Sequence, residues 1–180
     1  MTGKLILVLG GARAGKSTFA LRLAKDLAGE GRVTFIATAQ ALDDEMAQRI
    51  ARHREERPSA WLTIEEPYDL DRALIQASDS DVALVDCLAL FVSNWLLRGE
   101  DSKLEQTCQS FLATVEAQPQ TVICVSNEVG LGIVPDNQLS RTYRDLLGRV
   151  NQQFAEAADE VYLLVAGLPL RLKPRDSKNV

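Results

Sequence analysis

Apolar positions along the chain fall into short unbroken runs, separated by stretches in which they recur every three or four residues. Leu5 to Leu9 is the first run and ends in Gly10-Gly11, and from Lys16 the apolar positions Phe19, Ala20, Leu23 and Leu27 follow at helical spacing. That order predicts strand, glycine loop, helix. Gly29 and Gly31 stop the helix, and Val33 to Ala37 predicts a second buried strand. A charged helix is expected from about Asp43 to Arg57, closed by Pro58, then a short strand over Trp61 to Glu65 and a helix through Leu70, Ala73, Leu74 and Ala77. Val82 to Val85, ending in Asp86, is the next strand. Cys87 to Leu97 is apolar nearly all round and reads as a buried or interface helix, followed by a loop over Arg98 to Asp101. Leu104, Cys108, Leu112 and Val115 mark a further helix, Thr121 to Ser126 a strand, and Asn127 to Pro135 a loop. A long helix from about Gln138 to Ala158, with Leu139, Leu146, Val150 and Phe154 inward, leads to the last strand, Glu160 to Ala166. The basic end from Arg171 reads as a frayed terminus. Continuous apolar strands separated by helices imply an α/β fold with a mostly parallel sheet covered on both faces.

Composition narrows the class. The 180 residues, 46% hydrophobic and 25% charged, fit one domain over residues 1–180, with a basic tail at about 174–180. Twenty Lys and Arg against 25 Asp and Glu give a net charge of -5, which argues against nucleic acid as a partner. No apolar run is long enough for a membrane span or a signal-peptide core, so a cytoplasmic protein is expected. Cys87, Cys108 and Cys124 are odd in number, far apart and set in apolar stretches, as expected of reduced thiols.

The segment Gly10-Gly11-Ala12-Arg13-Ala14-Gly15-Lys16-Ser17 fits G-x-x-x-x-G-K-[ST] and lies between a predicted strand and a predicted helix, as a phosphate-binding loop requires. Glycines let backbone N–H groups converge on phosphate oxygens, Lys16 reaches the terminal phosphates, and the Ser17 hydroxyl can ligate Mg²⁺. Asp86, at the end of an apolar run, stands where such proteins hold Mg²⁺ through water; as an ordinary feature it would cap the following helix. His53 is the single histidine and shares a helix face with Met46 and Ile50, flanked four residues away by Arg49 and Arg57. It reads either as a half-buried residue at the edge of a packed stripe or as a neutral nucleophile among phosphate-attracting arginines. Glu65 and Glu66 offer carboxylates that match the paired N–H donors of guanine, or are solvated acids. Asn127-Glu128-Val129-Gly130 precedes a helix carrying Arg141 and Arg144, which are phosphate ligands or a solvated face.

Four segments together resemble the bifunctional adenosylcobinamide kinase / adenosylcobinamide-phosphate guanylyltransferase family of cobalamin synthesis. They are GGARAGKS at 10–17, FIATAQALDDEMAQRIARHREERPSAWLTIEEP at 35–67, SNEVGLGIVP at 126–135 and RTYRDLLGRVNQQFAEAADEVYLLVAGLPLRLK at 141–173, in the family's order. The resemblance implies a RecA-type P-loop fold, assembled as a homotrimer. It implies that a nucleoside triphosphate, ATP or GTP, phosphorylates adenosylcobinamide, and that GMP then passes from GTP onto the phosphate through a GMP-histidine intermediate. The histidine of the pattern EMxxRIxxHxxxRP falls on His53, and Lys16 serves the phosphates. Nucleotide contacts are implied at Ala37, Thr38 and Ala39, at Arg54, Glu55, Glu56 and Arg57, and at Glu65. Ala14 and Ala89 depart from the family pattern, where serine and threonine are common. Another small-molecule P-loop kinase would keep Gly15, Lys16, Ser17 and Asp86 and give His53 no covalent role. A GTPase switch would need an N-K-x-D guanine motif, which the sequence lacks, and its D-x-x-G match at Asp26 to Gly29 ends the first helix rather than following a metal-binding strand.

Overall fold

Leu5 through Leu9 are buried at every position. Successive strand residues point to opposite faces, so an uninterrupted buried run means that both faces of the strand are covered. The same holds for Val33–Ala37, Val82–Val85 and Val122–Val125. The computed structural model describes residues 3–55 and 57–173. Glu56, the tail at 174–180 and the side chain of Arg49 lie outside the described residues.

The strands are β1 (Lys4–Gly10), β2 (Val33–Ala37), β3 (Leu62–Glu65), β4 (Val82–Asp86), β5 (Thr121–Val125), β6 (Glu160–Val165) and β7 (Leu168–Lys173). They form one seven-stranded sheet in the order β3-β2-β4-β5-β1-β6-β7, parallel throughout except for the β6–β7 pair. The helices are α1 (Lys16–Ala28), α2 (Asp44–Glu55), α3 (Leu70–Gln76), α4 (Leu88–Leu97), α5 (Leu104–Ala117) and α6 (Gln138–Ala157). From β1 the chain crosses to β2 on one side, while β6 completes the other side. A ligand crevice is expected at such a reversal, outside the carboxyl ends of the strands, and this is where the glycine loop leaves β1. Among the described residues no helix is long and apolar enough to cross a membrane.

The core is built on Phe35, Phe91, Phe111 and Phe154, with the last two rings stacked 5.8 Å apart. Helix α4 is buried through six of its residues, as its all-round apolar character requires. Three expectations need correction. Leu139 is 55% exposed, and the inward face of α6 is carried by Leu147, Val150 and Phe154. Leu27, in the last turn of α1, is also exposed. Arg171 to Lys173 is no frayed end, because it closes β7. A two-residue turn at Ala166–Gly167, both left-handed (φ 51° and 81°), folds β7 back on β6. Such turns suit hairpins because their twist matches the strands, and Pro169 is tolerated because β7 is an edge.

Candidate active site

Gly10 and Gly15 are required by the loop's own geometry. A Cβ on Gly10 would lie 2.7 Å from the Leu164 carbonyl oxygen, and Gly15 caps α1 with φ 91°, its ideal Cβ 3.2 Å from Gly167 Cα. The β6–β7 turn thus buttresses the loop, and Gly167 N donates to the Ala14 carbonyl at 3.0 Å. Arg13 is also left-handed, at φ 57°, a backbone pattern that turns successive N–H groups toward one point. Lys16 is buried, with Nζ donating to the Gly11 carbonyl at 2.6 Å.

The loop forms one wall of a cleft of about 630 Å³. Ala12 to Thr18, Ala37, Ala39, His53, Arg54, Arg57, Glu65, Asp86 and Asn127 all line it. Strand β5 separates β4 from β1, so Asp86 does not end a strand adjacent to the loop. Its carboxylate nevertheless lines the same cleft as Ser17, near enough for the hydroxyl to act on it. Desolvation by the surrounding protein raises the Asp86 pKa, opposed by the Ser17 hydroxyl and by the charges of His53, Arg57 and Lys16. A carboxylate and a hydroxyl held together beside a phosphate loop are the donor set that Mg²⁺ takes in such sites.

Helix α2 has no buried side chain among those described. Its stripe of Met46, Ile50 and His53 faces the cleft instead of packing in the core, which removes the packed-stripe reading of His53. Arg57 was expected on the same helix and is not, because α2 ends at Glu55. Pro58 disfavours helical backbone at the residue before it. Arg57 is half-buried, its guanidinium over the Phe35 ring at 3.6 Å. Burial lowers its pKa, the nearby Asp86 charge raises it, and its Nε has no hydrogen-bond partner. An unpaired buried donor in a cleft wall fits an anionic ligand. Glu65 is exposed and ion-paired with Arg54 across the cleft.

Thr38 is fully buried and is not among the cleft-lining residues. Its hydroxyl accepts from Cys87 N and donates to the Cys87 carbonyl, both at 2.8 Å, which ties the end of β2 to the residue after Asp86. Glu55 is exposed at the end of α2, also outside the lining. Gly10 and Gly11 shape the loop from behind. Asn94 was missed in the sequence, although a lone amide within an apolar helix is a visible signal. Its Nδ2 donates to the Thr38 carbonyl at 2.8 Å and to the Pro67 carbonyl at 3.1 Å, so one buried side chain of the helix that follows Asp86 ties together the segments just beyond β2 and β3, the latter carrying Glu65. Arg141 and Arg144 are not in the cleft lining. Arg141 donates to the Pro135 and Asp136 carbonyls, and Arg144 pairs with Asp145.

Among solved structures, the flagellar accessory protein FlaH from Methanocaldococcus jannaschii matches with a TM-score of 0.57 over 96% of this chain and 79% of that one; at 18% identity it speaks for the fold alone. The chain is 42% identical to the bifunctional adenosylcobalamin biosynthesis protein CobU of Escherichia coli, over 94% of this chain and 99% of that protein. Identity is 46% to the bifunctional adenosylcobalamin biosynthesis protein CobP of Pseudomonas aeruginosa, over 93% of this chain and 96% of that protein. The family model described as cobinamide kinase / cobinamide phosphate guanyltransferase matches residues 6–172. With the phosphate loop, Asp86 and His53 on one cleft and this match over nearly the whole chain, the protein belongs to the cobinamide kinase / cobinamide phosphate guanyltransferase family.

Proposed function

We propose that this single cleft carries out two reactions in turn. A nucleoside triphosphate, ATP or GTP, first gives its terminal phosphoryl group to the aminopropanol hydroxyl of adenosylcobinamide. GMP from GTP is then transferred to that phosphate by way of His53. The observation that carries the reading is His53, which faces the same cleft as the phosphate loop and Asp86. A nitrogen of the imidazole attacks the α-phosphorus, the bond between α-phosphorus and bridging oxygen breaks, and pyrophosphate leaves. An oxygen of the substrate phosphate then attacks the same phosphorus and breaks the P–N bond, restoring the imidazole. Mg²⁺ bound at Ser17 and Asp86 would supply charge neutralisation to the phosphates. Lys16 and the loop N–H groups orient them, and Arg57 meets the negative charge that develops at phosphorus. The enzyme is proposed to be cytoplasmic, one domain over the chain, and a homotrimer. Open strand β7, with Leu168, Leu170 and Leu172 exposed, supports self-association.

Pure protein incubated with Mg²⁺ and GTP labelled on its α-phosphate should retain label after denaturation, and should release it when cobinamide phosphate is added beforehand. Unlabelled protein that still phosphorylates cobinamide would favour the plain kinase.

Glu65 is assigned to guanine recognition. Its pairing with Arg54 is exposed on both sides, and exposed pairs contribute only about 0–1 kcal/mol, so guanine N–H donors can displace the arginine. Glu65→Gln replaces one acceptor by a donor facing a donor. Guanylyl transfer should lose about tenfold or more of its preference for GTP over ATP, a loss of about 1.4 kcal/mol in competition assays. Unchanged discrimination would remove Glu65 from base recognition.

A further inference from the structure

The connection from β5 to α6 carries a second feature that the phosphate chemistry does not use. Val129, Leu131, Ile133 and Val134 are 38%, 86%, 97% and 62% exposed within six residues of irregular chain. Large apolar side chains gathered in the open mark a binding surface more often than isolated ones do. The loop is anchored at both ends. Glu128 N donates to the Gly10 carbonyl at 3.0 Å, and Asn151, buried and hydrogen-bonded to Ser126, donates to the Asn127 carbonyl at 2.9 Å. At the far end Arg141 holds the Pro135 and Asp136 carbonyls at 2.9 and 2.6 Å, and Asn137 caps α6. Fixed stems therefore present an apolar tip.

The near stem begins at Asn127, which lines the cleft together with Lys16 and Asp86 and follows β5, the strand between those that lead to Asp86 and to the phosphate loop. The cleft, at about 630 Å³, is of the size that holds one ligand, roughly 300–1,000 Å³. A corrin ring with its methyl groups and amide arms cannot share that space with a nucleoside triphosphate. Only the aminopropanol arm can enter, and the ring must rest on the surface beside the phosphate end of the cleft.

We infer that the loop over residues 129–134 seats the corrin ring, with Leu131, Ile133 and Val134 against its methyl-bearing surface while the arm reaches past Asn127. The inference rests on the cobinamide reading above. A second copy of the chain is the competing occupant, and β7 suits it better, because its edge offers unpaired backbone groups as well as leucines. The loop instead continues into the cleft itself.

Leu131→Ser with Ile133→Ser tests this, since both side chains are exposed and outside the core. The expected result is a rise of about tenfold or more in the KM for cobinamide in the kinase step. The KM for the nucleotide and the rate of label transfer from GTP to protein, which needs no corrinoid, should stay unchanged. An unchanged cobinamide KM in the variant overturns the inference and leaves the enzyme assignment standing. A raised KM accompanied by a fall in molar mass by light scattering assigns the loop to contact between copies and also overturns it. Wild-type protein that fails to phosphorylate cobinamide overturns the reading on which the inference depends.

Discussion

His53→Asn protein, given GTP labelled on the α-phosphate, should carry no label after denaturation and should form no guanylylated corrinoid, while its phosphorylation of cobinamide stays within a few-fold of wild type. In the proposed mechanism both halves of guanylyl transfer pass through the imidazole, so the loss should be complete rather than graded. Kinase transfer is proposed to go directly to a hydroxyl and to depend on the loop and on Asp86. The side chain lies on a helix with no buried residue among those described, and its replacement therefore leaves the core intact. The wild-type adduct should be labile in acid and stable in base, as a phosphoramidate is, and with one histidine in the chain no other imidazole can take the label. A persistent adduct in the folded variant would sink the mechanism. Loss of both activities would give His53 a structural role instead.

Asp86→Asn should abolish both reactions and at the same time raise the melting temperature of the nucleotide-free protein at neutral pH. Desolvation raises the Asp86 pKa above its unfolded value, outweighing the Ser17 hydroxyl and the charges of His53, Arg57 and Lys16. The folded state thus binds this proton more tightly than the unfolded chain does. The stabilisation that follows is fully present below the unfolded pKa, near 3.8, and is lost as pH rises through the folded one. Wherever the carboxylate is ionised its desolvation is a cost to folding, and an isosteric amide removes that charge. The gap in melting temperature between variant and wild type should narrow as the solution is acidified. GTP with Mg²⁺ should raise the wild-type melting temperature and leave that of the variant nearly unchanged. A variant that melts below wild type at neutral pH would show that Asp86 stabilises the empty fold through its cationic neighbours.

Periodicity and punctuation determined most of the architecture. Unbroken runs such as Leu5–Leu9 and Val82–Val85 have no polar face to expose, so they had to be strands covered on both sides, and the glycine loop could be placed between a strand and a helix. The loop's chemistry was legible for the same reason: it is local, with every backbone N–H and the Lys16-Ser17 pair within eight residues of sequence. The resemblance supplied His53, whose helix spacing by itself favoured a packed stripe over a nucleophile.

Tertiary structure decided what depends on separations across the sheet. Strand order put β5 between β4 and β1, yet brought Asp86 to Ser17 over a sequence distance that no motif spans. It turned the Met46–Ile50–His53 face toward the cleft, seated Arg57 over Phe35, and withdrew Thr38 into a hydrogen bond with Cys87. Strand β7 escaped the sequence because Pro169 and alternating Leu and basic residues look like a tail until an edge is available to pair with. Local patterns report which face of an element is apolar; only the packed sheet determines what that face meets.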